Sequence, residues 1–137
     1  MDFASEKGTS AQKVVLLAED DDLVRSLVQQ ALTRKGYRVI AHPDGREALS
    51  CFQEDGDDVD LIVTDIVMPR LNGRDLARKC RELRPKIGIL YISGNLEGQF
   101  DLTEDLTGNA AFLAKPFRPA ELLGNVETLI NADSAED

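Results

Sequence analysis

The chain has 137 residues, of which 42% are hydrophobic, and it carries a formal net charge of −9 at neutral pH. A chain of this length and composition can bury the core of one domain without disulfides or a structural metal. The negative charge argues against direct nucleic-acid binding, which requires Lys and Arg clustered on one face.

The termini are more polar than the centre of the chain. We expect residues 1–12 to be a disordered N-terminal segment, residues 13–131 to form the domain, and residues 132–137 to be an acidic tail. No apolar run approaches the roughly 18 residues that cross a bilayer, and the first residues lack the apolar core of a secretory signal. We therefore expect a cytoplasmic protein with no membrane contact.

The first third of the domain predicts a strand, a helix and a second strand. Residues 14–18 form an apolar run, and residues 37–41 form a short alternating run. Between them, apolar residues recur with the spacing of one helix face: Leu23, Val24, Leu27, Val28, Ala31 and Leu32. Lys35 and Gly36 end this helix with a basic last turn and a glycine.

The middle of the chain predicts a second helix, the central strand and a third helix. The second helix carries Ala48, Leu49 and Phe52. Residues 61–64 are almost wholly apolar, as expected for a strand that helices cover on both faces. The third helix ends before Pro85, because the residue that precedes a proline disfavours the helical conformation.

Two further apolar runs, residues 87–92 and 110–114, predict the fourth and fifth strands, and the last helix begins near Pro119. Residues 95–109 show only a partial apolar stripe, which predicts a short or mobile fourth helix. Five strands that alternate with five helices predict an α/β fold with a five-stranded parallel sheet and helices on both faces. The flavodoxin-like strand order is 2-1-3-4-5.

Polar residues follow four of the five strands. Glu19 and Asp20 follow the first, Asp65 the third, Ser93 the fourth and Lys115 the fifth. The carboxyl ends of parallel strands form the edge where open α/β sheets bind ligands. Two carboxylates about 4 Å apart repel by roughly 4 kcal/mol at an effective dielectric of 20, so the cluster predicts a bound cation. Oxygen ligands suit Mg²⁺, and Asp65 is then the candidate nucleophile for a phosphoryl group.

At these residues the chain resembles the receiver domain of two-component response regulators, from about residue 13 to residue 130. The acidic pair of that family corresponds to Glu19 and Asp20. Its phosphoacceptor corresponds to Asp65 in the segment TDIVMP, its hydroxyl to Ser93, and its lysine to Lys115 in the segment KPF.

The resemblance implies a metal site and a switch. Mg²⁺ or Mn²⁺ would be held by Asp20, Asp65 and the backbone carbonyl of Val67, with Glu19 acting mostly through water. Phe112 takes the place of an aromatic switch residue three positions before the lysine. It lacks the hydroxyl of the commoner tyrosine, so the switch would work by packing alone, together with Ser93.

The resemblance also implies partners and an activity. A histidine kinase or a phosphotransfer protein would donate a phosphoryl group to Asp65, and the changed surface would bind a downstream protein. Such a chain is not a classical enzyme, because it catalyses only its own aspartyl phosphorylation and dephosphorylation. We see no DNA-binding output domain. Residues 91–95 and 117–122 resemble receivers of hybrid sensor kinases, so both a stand-alone regulator and a receiver from a longer protein remain open.

Two rival interpretations use the same fold. A haloacid-dehalogenase-type phosphatase has a second aspartate two residues after its nucleophile, whereas this chain has Val67 there. A flavodoxin-like cofactor binder needs a phosphate-cradling loop after the first strand, whereas residues 19–22 are all acidic and would repel phosphate without a metal. The receiver accounts for more of these residues than either rival.

Overall fold

Five strands and four helices follow one another along the part of the chain that the structure, a computed structural model, describes: residues 12–94 and 106–135. The elements are β1 (Val14–Ala18), α1 (Asp22–Arg34), β2 (Arg38–His42), α2 (Gly45–Asp55), a 3₁₀ turn (Gly56–Asp58), β3 (Leu61–Asp65), α3 (Gly73–Leu83), β4 (Gly88–Ser93), β5 (Ala110–Ala114) and α4 (Pro119–Ala135). Each predicted strand is present, and β2 and β4 begin one residue later than expected.

The strands form one parallel sheet in the order β2-β1-β3-β4-β5. This confirms the flavodoxin-like order, and it places β3 at the centre with all five of its residues buried. The described residues contain four helices rather than five. Most of the predicted fourth helix, within residues 95–109, lies outside the described residues, so the fifth helix is not confirmed.

Alternate residues of each central strand point to opposite faces of the sheet, and each face has its own apolar core. On β1, Leu16 and Ala18 pack with α2 and α3, whereas Val15 and Leu17 pack with α1 and α4. The runs are apolar at every position because helices cover both faces of the sheet.

The ends of the helices follow from local chemistry. Asp21 caps α1, because its carboxylate accepts hydrogen bonds from the backbone N–H groups of Leu23 and Val24. Gly36, just past the end of the same helix, has φ +106°, a left-handed conformation that glycine adopts without strain. These signals were readable from the sequence, and the structure confirms the predicted glycine.

The predicted apolar face of α1 is wider than the surface that the sheet covers. Val28 and Leu32 are buried, but Leu23 is 68% exposed and Leu27 is 57% exposed. Only part of the apolar face that the sequence predicts is therefore buried. Val24, Val28, Ala31 and Leu32 pack with the core, whereas Leu23 and Leu27 extend beyond it.

Arg81 binds the segments that precede β4 and β5. Arg81 on α3 donates hydrogen bonds to the backbone carbonyls of Ile87 (3.3 Å), Thr107 (2.9 Å) and Asn109 (3.0 Å). The side chain of Asn109 in turn donates to the carbonyl of Leu129 on α4 (2.9 Å). The segments that enter β4 and β5 are therefore joined to helices on both faces.

We predict that Arg81→Ala lowers the free energy of unfolding by about 2–3 kcal/mol, because three carbonyls lose a charged donor. Urea denaturation followed by circular dichroism would measure the change. Lys79→Ala is the matched control, since Lys79 is an exposed residue of the same helix, and it should stay within about 0.5 kcal/mol of the wild type. Equal stabilities for the two variants would contradict the role given to Arg81.

Candidate functional site

A lysine and two carboxylates meet at the carboxyl edge of the sheet. Glu19 follows β1, Asp65 ends β3 and Lys115 follows β5. Lys115 Nζ lies 3.0 Å from Glu19 Oε1 and 3.1 Å from Asp65 Oδ2. The side chain of Glu19 is wholly buried and that of Asp65 is 10% exposed, so little water screens these charges.

The two carboxylate oxygens of Glu19 have different surroundings. Its Oε2 accepts a hydrogen bond from the backbone N–H of Asp21 (3.0 Å). Its Oε1 makes the ion pair with Lys115 but has no partner with hydrogen-bond geometry among the described residues. Burial raises the pKa of Glu19 to about 7, the charge of Asp65 contributes to the rise, and the N–H of Asp21 and the ammonium of Lys115 oppose it.

The pKa of Lys115 is also raised, but here the neighbouring charges are the cause and burial opposes them. Burial alone would lower the pKa of Lys115, but the ion pairs with Glu19 and Asp65 outweigh burial and raise it. The lysine therefore stays charged at neutral pH. Glu19 and Asp65 share this ammonium ion, and Asp20 adds a third carboxyl group next to theirs.

Hydrogen bonds hold the backbone around Asp65 as well as its side chain. Oδ1 of Asp65 accepts a hydrogen bond from the N–H of Ile66 (2.7 Å), and the hydroxyl of the buried Thr64 donates to the carbonyl of Asp65 (2.8 Å). The first residue of α3, Gly73, donates its N–H to the carbonyl of Ile66 (2.8 Å). A Cβ at position 73 would overlap the carbonyl oxygen of Asp65, so only glycine fits there.

Three carboxyl groups lie close enough to bind one metal ion. Glu19, Asp20 and Asp65 each offer an oxygen, and these oxygens lie within 4.8 Å of one another. Hard oxygen ligands without sulfur or imidazole suit Mg²⁺. Oε1 of Glu19, which lacks a hydrogen bond, could accept one from a water bound to such an ion. The residues present therefore fit the divalent cation that the sequence predicted.

The remaining predicted residues lie around this cluster. Ser93 is 3% exposed at the end of β4, and its carbonyl accepts the backbone N–H of Lys115 (2.9 Å). Phe112 is half-buried on β5, opposite Tyr91 in the ladder with β4. Val67 is 54% exposed in the loop after β3. The structure thus places Ser93 against Lys115, and Phe112 three residues before it on the same strand.

Two contacts with backbone carbonyls at the site were missed from the sequence. Arg25 on α1 donates from Nη1 to the carbonyl of Glu19 (2.8 Å), while its Nη2 pairs with Asp22 one turn earlier on the helix. The hydroxyl of Thr64 binds the carbonyl of Asp65, as described above. Neither contact has a sequence signature, because each depends on how the backbone turns at the end of a strand.

An apolar groove opens beside the cluster. It has a volume of about 530 Å³ and lies between α1 and α4. Val24, Leu27 and Ala31 line one wall, Pro116 and Phe117 line another, and Lys115 reaches its edge. The exposed Leu27 therefore belongs to a continuous apolar surface next to the buried carboxylates.

The chain belongs to the response regulator receiver domain family. The family model matches residues 15–127, which include β1 through most of α4 and every residue of the cluster. This is the class of protein that the fold and the site define: a receiver domain of two-component signalling.

Individual relatives agree with this assignment. The chain is 37% identical to the sensor kinase CckA of Brucella abortus (strain 2308) over 127 residues, which cover 91% of this chain and 13% of the kinase. It is 35% identical to the response regulator receiver protein CpdR of the same organism over 120 residues, which cover 88% of this chain and 98% of CpdR. It spans about half the length of several transcriptional regulatory proteins that it also matches.

Solved structures show the same fold. A response regulator receiver protein from Sinorhizobium medicae WSM419 superposes with a TM-score of 0.82 at 30% identity, over 90% of this chain and 98% of that one. The receiver domain of the hybrid histidine kinase CckA superposes with a TM-score of 0.72 at 31% identity, over 85% and 98%. Within the described residues, none of the helices is both long enough and apolar enough to span a membrane.

The raised pKa of Glu19 predicts how stability depends on pH in metal-free protein. The pKa is about 7 in the folded chain against an ordinary 4.5, so the folded state binds the proton more tightly. The stability contributed by the proton on Glu19 is therefore fully present below about pH 4.5 and is lost as the pH rises through 7, so that the wild type loses roughly 3 kcal/mol relative to Glu19→Gln, which cannot ionise.

Urea denaturation in EDTA between pH 5 and pH 8 would measure this difference. Asp58→Asn is the control, because Asp58 is exposed in the 3₁₀ turn and the variant should follow the wild type at every pH. Parallel curves for wild type and Glu19→Gln would show that burial does not perturb Glu19.

Proposed function

We propose that this receiver accepts a phosphoryl group on Asp65 from a phosphohistidine of a histidine kinase or phosphotransfer protein, in a reaction that requires Mg²⁺ or Mn²⁺. The observation that carries the proposal is the placement of Lys115 Nζ within 3.1 Å of both Asp65 and Glu19, beside three carboxyl groups that can share one cation. Lys115 together with a divalent cation at these carboxyl groups would offset the negative charge of a dianionic phosphoryl group.

The chemistry follows from the residues present. A carboxylate oxygen of Asp65 attacks the phosphorus and the bond between phosphorus and the donor nitrogen breaks. The donor imidazole, which carries a proton on its other nitrogen, leaves with the electron pair as neutral imidazole. Lys115 neutralises charge on the phosphoryl group, and Ser93 donates a hydrogen bond to it. Mg²⁺, when bound, would offset the negative charge of the phosphoryl oxygens at the same edge.

The proposed ligands of the ion are Asp20, Asp65 and the backbone carbonyl of Val67, with Glu19 acting through a bound water. The short distances among the carboxyl oxygens of Glu19, Asp20 and Asp65 support this set. Hydrolysis of the acyl phosphate at the same site would reset the protein. The chain would thus catalyse its own phosphorylation and dephosphorylation and act on no other substrate.

The output of the proposed reaction is a changed surface. A phosphoryl group on Asp65 would draw Lys115 and Ser93 toward it, and Phe112 would repack on β5 in response. The downstream protein partner would bind near β5 and α4. We assign this activity to residues 13–131, with residues 1–12 and 132–137 outside the receiver. The receiver would act in the cytoplasm. The assignment holds both for a stand-alone regulator and for a receiver that is part of a longer protein.

The apolar groove between α1 and α4 is the proposed docking surface for the phosphodonor. A donor must bring its phosphohistidine to Asp65, and the groove lies at the same edge of the sheet as Lys115. A helix that presents an apolar face would cover the exposed Leu27 and fill the groove. Such helix-in-groove contacts combine apolar anchors at intervals of three and four residues.

The phosphoacceptor is tested by intact mass after incubation with Mg²⁺ and acetyl phosphate. Wild type should gain the mass of one phosphoryl group, and Asp65→Asn should gain none, because an amide is not a nucleophile toward phosphorus. Asp58→Asn should behave like the wild type. Labelling that persists in Asp65→Asn would refute the assignment of the nucleophile.

The docking surface is tested separately from the chemistry. The donor is a phosphorylated histidine kinase core that labels the wild type. Leu27→Glu should slow transfer from this donor by at least about tenfold, because it places a charge in an apolar contact. Labelling by acetyl phosphate should not change, since Leu27 does not touch the cluster. Gln30→Glu on the exposed side of α1 is the control for added charge. Equal transfer to all three proteins would exclude the groove as the docking surface.

A further inference from the structure

Arg25 is the one cation of α1 that contacts the backbone of the acidic cluster. Its side chain is 22% exposed and reaches back from the first turn of the helix. Nη1 donates to the carbonyl of Glu19 at 2.8 Å, and Nη2 lies 2.5 Å from Asp22. A planar guanidinium that spans two acceptors in this way is held in one orientation.

Asp20 depends on its backbone for its orientation. Its side chain is exposed, and within the described residues no hydrogen bond or ion pair holds its carboxylate. The residues beside it are fixed, because the N–H of Glu19 donates to the carbonyl of His42 (3.1 Å) and the N–H of Asp21 donates to the carboxylate of Glu19 (3.0 Å). The peptide group between Glu19 and Asp20 is held by Arg25 through its carbonyl.

We propose that Arg25 is a positioning residue of the cation site: it fixes the peptide between Glu19 and Asp20, so that the carboxylate of Asp20 remains directed toward the metal ion. The inference rests on the proposed function, since it assumes that the acidic cluster binds Mg²⁺. Arg25 is not among the proposed ligands and would act on the ion only through the backbone of Glu19 and Asp20. It acts in the way that outer contacts of a metal site orient the ligands.

Electrostatics and positioning predict opposite results for the loss of Arg25. Removal of its positive charge leaves Asp22 without its ion pair, so the site becomes more negative and simple attraction would make Mg²⁺ bind more tightly. Loss of the hydrogen bond to Glu19 frees the peptide and would make Mg²⁺ bind more weakly. The direction of the change in affinity therefore separates the two effects.

The test is the dissociation constant of Mg²⁺, measured by isothermal titration calorimetry on metal-free protein. Arg25→Met keeps most of the side-chain volume and should raise the dissociation constant about tenfold, the lower end for loss of an outer contact. Arg25→Lys, which keeps the charge but cannot span both acceptors, should raise it about threefold. Arg34→Gln, an exposed arginine in the last turn of α1, should change it less than about twofold.

Melting temperatures in EDTA accompany each titration. A purely structural role for Arg25 would lower the melting temperature and leave the dissociation constant unchanged, and this result would overturn the proposal. Tighter binding by Arg25→Met would overturn it as well. If Arg25→Met is too unstable to titrate, Arg25→Lys decides, and a constant equal to that of the wild type refutes the proposal.

The wild-type titration tests the metal site separately from the role of Arg25. Absence of Mg²⁺ binding to the wild type would refute the metal site of the proposed function, and the inference with it. Binding to the wild type with unchanged or tighter binding to Arg25→Met would refute only the role of Arg25.

Discussion

The ammonium group of Lys115 connects the ends of three strands. It follows β5, passes the end of β4, and contacts the carboxylates that follow β1 and end β3. These contacts exist only if the strand order and register are correct, since a shift of one strand would move its carboxylate out of reach. Buried ion pairs of this kind contribute little net stability, because desolvation offsets attraction. The arrangement is therefore better explained by the proposed phosphoryl transfer than by a contribution to the stability of the fold.

Helix α1 serves the site in two ways from two sides. Arg25 faces the end of β1 and holds the backbone of the acidic pair. Val24 and Leu27, its neighbours on the helix, line the apolar groove. A protein that packs into the groove would therefore contact the same helix that holds the backbone of Glu19. If Arg25 orients the proposed metal ligands, docking in the groove and metal binding are coupled through α1.

The fold was largely readable from the sequence, because the apolar runs of a parallel sheet covered on both faces are unbroken and each ends at a polar residue. Glu19, Asp65 and Lys115 could be placed together on that basis alone. The exposure of Leu23 and Leu27 could not be predicted, since the spacing of apolar residues on a helix does not determine which part of the fold packs against them. The contacts of Arg25 and Arg81 were also unreadable, because a long side chain binds carbonyls wherever the folded backbone presents them.

The close approach of α3 to the end of β3 has a consequence for redesign of this protein. Because no side chain fits at Gly73 beside the carbonyl of Asp65, the start of α3 and the end of β3 are in close contact. A library intended to change the lifetime of the proposed acyl phosphate should therefore leave position 73 fixed. It can instead vary Val67, which is solvent-exposed in the adjoining loop and free of that steric limit. The loop thus has an exposed position that can be varied and a closely packed end that cannot.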